Sequence, residues 1–318
     1  MQFDAKAVKC ETCVCGSVDV KTTSVELKLR NTLLSFATVQ CDHCDTVFFH
    51  PMPSGEVIKR HYSDDYNFYS GNNPKQYGRG VGFARYYLRP LSNAGKILDV
   101  GCGAADFLNA ISQTIGWEVY GVDINQASIE NASKSTGLKN LIYGDIFDSR
   151  LDELRFDCIH LRDVIEHVVD PVSFVSRARS LLSDQGFIYV RIPNGLVEFK
   201  GKIRQARKNG GIAETLPGHI WYISIAGFQN LCEKSGLQIV SSFSFGLKNG
   251  LRNLGFYPVP KTKSFKKSRQ APYVLADFSK IAEKSAHSFC SQEANLWKGL
   301  TNYHLEHVYI LKTKKPNY

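Results

Sequence analysis

The residues able to do chemistry in this chain of 318 fall into two groups. The first is a set of acids that close short apolar runs: Asp99 in ILDVGCGAADF, Asp123 in VYGVDIN, Asp145 in YGDIF, and Asp163 and Glu166 in LRDVIEHV. Gly101 and Gly103 let the chain turn sharply and bring backbone close to a ligand. A diphosphate-binding turn would carry a third glycine where Asp106 stands, and a carboxylate there repels an anion. Asp99 adds another negative charge, so the turn suits a cationic ligand. Glu166 and His167 offer proton transfer, with His167 the first choice of base because an ordinary imidazole, of pKa about 6.5, is largely neutral at pH 7. His219 in LPGHIWYIS, beside Trp221 and Tyr222, is a further candidate on the acceptor side, with capping of the next helix as its alternative.

The second group is sulfur. Five of the nine cysteines, Cys10, Cys13, Cys15, Cys41 and Cys44, stand at the front of the chain. The pairs C-E-T-C and C-D-H-C each let two thiolates reach one ion, and two such pairs close a tetrahedral site with no open position, which makes it structural. Cys10, Cys13, Cys41 and Cys44 are the expected zinc ligands, with Cys15 able to replace Cys10 or Cys13 and His43 in reserve. Disulfides or a redox C-x-x-C are the rival. The opening MQFDAKAVKCETC lacks the basic-then-apolar order of a secretory leader, so a reducing, cytoplasmic setting is expected and zinc is favoured.

Such groups need elements to hold them. From residue 96 the pattern predicts strand 96–100, helix 104–115, strand 117–122, helix 126–135, strands 140–143 and 156–161, helix 171–183 and strand 186–192. Alternation with short loops means an α/β, doubly wound, Rossmann-like sheet. A helix from Ser224 and strands at 237–246 and 307–315, the last two antiparallel, complete it. In such sheets ligands lie beyond the carboxyl ends of the strands near the switch point, so all these acids face one crevice. Three parts are expected: a zinc-binding β ribbon over 1–53, an aromatic-rich helical or lid connector over 54–94 in which Ser54 caps a short helix, and the main domain over 95–318. Within the last, 247–306 reads as a basic insertion with two helices.

S-adenosylmethionine fits this crevice by charge, since it carries a sulfonium and an ammonium. Asp123 suits its ribose hydroxyls and Asp145 its adenine amino group. The expected cofactor set is Asp99, Gly101, Cys102, Gly103, Asp123, Ile124, Asp145, Ile146, Arg162 and Asp163. Through ILDVGCGAADF, VYGVDIN, GDIFD, FDCIHLRDVIEHVVDP and LLSDQGFIYVRIPN, residues 95–245 resemble the class I S-adenosylmethionine-dependent methyltransferases. Ala104, Ala105 and Asp106 depart from that pattern where a further glycine is common. The cysteine pairs followed by VFFHPMPSGEVIKRHYSDDYNFY resemble the zinc-binding subgroup associated with sugar and surface-polysaccharide methylation, including nucleotide-sugar C-methyltransferases. That resemblance implies a Glu166–His167 pair with the histidine as base; the alternative is that both merely shape the cofactor pocket through loop hydrogen bonds.

The net charge of +9 favours an anionic partner, and the excess lies in FKGKIRQARKNGG, KTKSFKKSRQ and the tail, each of which also reads as a solvated face. No run approaches the roughly 18 apolar residues of a membrane span. The expected acceptor is a small, phosphorylated molecule such as a nucleotide-linked sugar or glycan intermediate. An RNA methyltransferase is the alternative. Against it, LRDVIEHV lacks the Asn/Asp-Pro-Pro-aromatic turn used to stack a flipped base, and Cys158 lies inside a strand pattern rather than as a nucleophile. A non-catalytic cofactor-binding module is the third possibility.

Overall fold

The computed structural model describes residues 12–29, 34–63, 73–215, 218–245 and 306–314. Cys10 and both helices expected within the 247–306 insertion lie outside them.

Strands β1 (Val20–Leu29), β2 (Ser35–Cys41) and β3 (Val47–Phe49) form an antiparallel ribbon. Val25, Leu27 and Leu29 alternate inward along β1, and Phe36 stacks on Phe49 at 5.2 Å. Helix α1 (Gly55–Ser63) starts where Ser54 Oγ accepts the Val57 amide, as expected. Helix α2 (Pro74–Phe83) is capped by Asn73, has Pro74 in its first turn, and runs into a π-helical turn at Ala84–Leu88.

The alternation after residue 96 is realised as β4 (Lys96–Val100), α3 (Asp106–Thr114), β5 (Glu118–Asp123), α4 (Gln126–Thr136), β6 (Leu141–Tyr143), β7 (Phe156–Arg162), α5 (Pro171–Ser180) and β8 (Leu182–Pro193). Helix α6 (Gly195–Lys208), short strands β9 (Ile212–Thr215) and β10 (Trp221–Tyr222), helix α7 (Ile225–Lys234), and strands β11 (Leu237–Phe245) and β12 (Glu306–Thr313) follow. The main sheet has the order β11-β12-β8-β7-β4-β5-β6. Its pairs from β8 through to β6 are parallel, while β12 runs antiparallel to both β11 and β8. The α/β doubly wound sheet expected from the sequence is therefore present, and its switch point lies at β4, between β5 and β7.

Each face of this sheet is covered. Phe83, Phe107, Leu108, Ile111 and Ile129 from α2, α3 and α4 pack on one side. Phe174, Val175, Phe228 and Leu231 from α5 and α7 share the other with the ribbon. The ribbon is larger than residues 1–53: β9 pairs parallel with β1 and β10 antiparallel with β3, giving the order β10-β3-β2-β1-β9. The segment between β8 and β11 thus crosses from one sheet to the other. The basic run 199–208 belongs to α6, whose Val197, Phe199 and Ala206 are buried.

Close approach joins the ribbon to α7. The Ser224 amide donates to Thr46 Oγ1 at 3.2 Å, and a Cβ on Gly227 would stand 2.1 Å from that same oxygen and 3.4 Å from Cys44 Sγ. Gly227→Ala is expected to cost about 1–3 kcal/mol through this overlap, read as a lower denaturation midpoint with an unchanged slope. A midpoint equal to that of the unsubstituted protein would show that α7 shifts freely against the ribbon.

Candidate active site

The loop after β4 explains how the turn manages with two glycines. Gly101 and Gly103 have φ of 76° and 53°, and Ala105 takes the left-handed conformation at φ 56° just before α3. That position favours glycine, so an alanine fills the place at a modest cost in strain. Asp106 Oδ2 accepts the Asn73 amide at 3.0 Å and so ties α2 to the loop.

The acids stand at the strand ends in three different states. Asp99, 5% exposed, meets His160 Nδ1 through Oδ1 at 2.7 Å. Asp123 accepts the Gly103 amide at Oδ2 and the Asn125 amide at Oδ1, both at 2.8 Å, which fixes its carboxylate against the glycine loop. Burial pushes its pKa up and these two amides pull it back. Asp145 is exposed, and its Oδ1 accepts the Phe147 amide at 2.8 Å. Ile124 is half-buried beside Asp123. Ile146 is wholly buried in the core, and Cys102 Sγ packs toward Gly121. Arg162 donates to Gln76 Oε1 at 3.1 Å, as does Arg79, and lies 3.3 Å from Asp163, which has φ of 55°.

Beyond β7 the chain closes in a short 3₁₀ turn, Ile165–His167. Here the three expected acid–base residues come together, with donor and acceptor atoms of Glu166, His167 and His219 within 4.8 Å of one another. Nε2 of each histidine lies 3.9 Å from Glu166 Oε1, and the two rings meet edge to face at 4.6 Å. Two residues that sequence patterning did not single out hold the far side of each ring. Tyr62 OH is 2.5 Å from His167 Nδ1, and both Glu198 oxygens are 2.9 Å from His219 Nδ1. Tyr62 also takes the Asn125 amide group on its carbonyl at 3.0 Å, so α1 spans from the β5 loop to the β7 loop. Neither carboxylate oxygen of Glu166 has a hydrogen-bond partner among the described residues. The turn is pinned from behind, since the Ile220 amide donates to Glu166 O at 3.0 Å and Trp221 Nε1 to Val168 O at 2.9 Å.

Burial pushes the Glu166 carboxyl up to about 8, against the pull of His219. Burial lowers His219, but the Glu198 carboxylate overcomes it and leaves that imidazole at about 8. Near neutral pH the cluster therefore holds a Glu198–His219 ion pair beside a protonated Glu166. Both groups bind protons more tightly folded than unfolded, so their stabilising contributions are complete below the unfolded values and are lost as pH rises through about 8. The thermal midpoint is expected to fall as pH rises from about 4.5, the ordinary value for Glu166, through about 8, with His219 adding to the fall above about 6.5. Glu166→Gln should flatten the fall; a slope identical to that of the unsubstituted protein would place the proton elsewhere.

At the ribbon, Cys13 and Cys44 sulfurs are 3.5 Å apart and those of Cys15 and Cys41 3.6 Å, all four lying within 4.8 Å of one another. A disulfide would need about 2.05 Å, whereas four thiolates on one zinc stand about 3.8 Å apart. Among the described residues the fourth sulfur is that of Cys15: the turn at Gly16, φ 87°, folds Cys15 back toward Cys41. His43 is exposed, outside the group.

A family model described as a methyltransferase domain matches residues 62–242, more than half of the chain. The ubiquinone biosynthesis O-methyltransferase of Bradyrhizobium diazoefficiens is 33% identical over 113 residues, 34% of this chain and 44% of that protein. The enzyme of the same name from Leptothrix cholodnii is 30% identical over 105 residues, 31% of this chain and 44% of its own length. The match thus spans less than half of these relatives. Among solved structures, the magnesium protoporphyrin IX methyltransferase of Synechocystis with bound S-adenosylhomocysteine aligns at a TM-score of 0.47 and 12% identity, covering 82% of this chain and 99% of that one.

Proposed function

Because the chain belongs to the methyltransferase-domain family and is an S-adenosylmethionine-dependent methyltransferase, we propose that it methylates a small, phosphorylated acceptor, a nucleotide-linked sugar or glycan intermediate, at a group that must lose a proton. The observation that carries this is the Glu166–His167–His219 cluster at the carboxyl end of β7, in which Tyr62 and Glu198 fix both imidazoles. A neutral amine attacks without prior loss of a proton, whereas a hydroxyl is a weak nucleophile until its proton is removed. The name of the relatives, O-methyltransferases, supports an acceptor of the hydroxyl kind.

The residues present fit the cofactor. The two glycines and Ala105 in positive φ open the loop to a ligand, and Asp99 and Asp123 supply negative charge where an ammonium and ribose hydroxyls would lie. Asp145 would take the adenine amino group, and Arg162 with Arg79 would hold the carboxylate. When bound, S-adenosylmethionine supplies an electrophilic methyl on a sulfonium. His167 removes the acceptor proton, Tyr62 holds its ring, and the His219–Glu198 pair walls the acceptor. Helix α6 carries Lys200, Arg204, Arg207 and Lys208, positive charge that suits an anionic acceptor.

The four sulfurs of Cys13, Cys15, Cys41 and Cys44 fit Zn2+, which would supply a structural cross-link and no open coordination position.

The test is transfer of labelled methyl into a fractionated extract, with nucleotide-sugar, glycan, quinol and RNA pools kept apart. Label in the first two pools, lost with His167→Ala, is the expected result. Label confined to quinols would move the acceptor to a phenol, and label in nuclease-sensitive RNA would sink the small-molecule assignment.

A further inference from the structure

We propose that His160, in the middle of β7, is a positioning residue for cofactor binding that acts through Asp99. The two side chains face each other in register across β7 and β4, with His160 Nδ1 2.7 Å from Asp99 Oδ1. Both are almost fully buried, at 4% and 5% exposure. A carboxylate at such a place needs donors, and the ring N–H supplies one while leaving its remaining lone pairs for a ligand. The donor cannot swing away. The imidazole is stacked between Phe107 at 4.3 Å and Tyr189 at 5.1 Å, and Phe83 meets its edge at 5.2 Å.

These neighbours place the pair in the cofactor's path. Phe107 lies in the first turn of α3, directly after the loop of Gly101, Gly103 and Ala105, and Phe83 ends α2. A Cβ on Gly80 would stand 2.3 Å from Phe107 O, so α2 is pressed onto the same turn. His160 thus fixes which oxygen of Asp99 points along the sheet and which remains toward the crevice. This rests on Asp99 receiving the cofactor's ammonium, as proposed above. An ammonium is held alike before and during methyl transfer, so loss of its positioning weakens cofactor binding without slowing the bound complex.

Two substitutions separate the hydrogen bond from the stack. His160→Phe keeps a ring between Phe107 and Tyr189 but removes the donor; His160→Asn keeps a donor near the place of Nδ1 and gives up the stack. With the full chain, calorimetric binding of S-adenosylhomocysteine should weaken about 10- to 100-fold in His160→Phe, and KM for S-adenosylmethionine should rise alike with kcat within about threefold. His160→Asn should bind within about fivefold of the unsubstituted protein, even where its thermal midpoint is lower. Weakening in His160→Asn with His160→Phe unaffected would make the stack the cause and overturn the proposal, as would equal weakening in both variants or a fall in kcat at unchanged KM. Unchanged binding in Asp99→Asn would remove the role of Asp99 itself, and His160's with it, whereas weak binding there alongside normal binding in His160→Phe would reject His160 alone.

Discussion

His167→Ala is expected to lower kcat by about 10²- to 10⁴-fold while leaving S-adenosylhomocysteine binding and the thermal midpoint near their original values. The size follows from what a positioned base contributes when a proton must leave the acceptor as the methyl arrives. Position is provided on two sides. Tyr62 OH, 2.5 Å from Nδ1, sets the ring from α1, and the 3₁₀ turn sets it from the backbone through the His167 amide bonded to Val164 O at 3.0 Å. Nε2 is left facing the space shared with Glu166 and His219. Tyr62→Phe should therefore reproduce part of the loss, about tenfold, because the ring keeps its place in the turn but loses its partner. Glu198→Gln is a different test: it removes the charge that holds His219 protonated and should weaken acceptor binding more than turnover. Retention of more than a tenth of the original kcat in His167→Ala would turn this cluster into a pocket wall and leave proton removal to solvent.

Much of the fold was legible because its strands are buried on both faces and its helices on one. Nearly continuous buried runs such as those of β4 and β7, separated by short helices, favour a parallel sheet, and α5 and α7 begin where the sequence placed helices, at residue 171 and near Ser224. What escaped was irregular or short. Strands β9 and β10 have four and two residues and earn their strand character only by pairing with β1 and β3. Helix α6 hides behind its charge, since five cations over 200–208 mask the buried Val197, Phe199 and Ala206.

The site divides along the same line. Glu166, His167 and His219 were visible because each follows a strand end or precedes a helix, and such places converge. Their partners were not. Tyr62 was one aromatic among many in the connector, and Glu198 sits on α6, twenty-one positions before the histidine it binds. Asp99 was expected to face the ligand alone, and nothing in a strand pattern says that the residue opposite it will be His160. Pairing across strands decides such contacts, and register is a property of the folded sheet.

Cys44→Ser, or removal of metal by a strong chelator, is expected to abolish binding of about one zinc per chain, to lower the thermal midpoint by more than about 10 °C and to cost most of the activity. The fall in stability follows from the scale of structural zinc binding, about 10–16 kcal/mol in zinc-finger peptides, applied to a ribbon whose first ligands come from a knuckle with little core of its own. The fall in activity follows from what the ribbon supports. Ser224 binds Cys44 O and Thr46, Phe48 stacks on Trp221 at 4.7 Å, and β10 pairs with β3. Trp221 and Ile220 in turn hold Val168 and Glu166, so a loosened ribbon releases His219 and the turn that carries His167 together. Asp99, Asp123 and the glycine loop are carried by β4, β5 and the turn after β4 and not by the ribbon, and S-adenosylhomocysteine should still bind the metal-depleted protein. Loss of activity with cofactor binding intact would make the ribbon part of the acceptor wall. Loss of both would mean that the two sheets fold as one unit, and a Cys44→Ser protein with unchanged stability and no zinc in either form would leave the four sulfurs without a metal to hold.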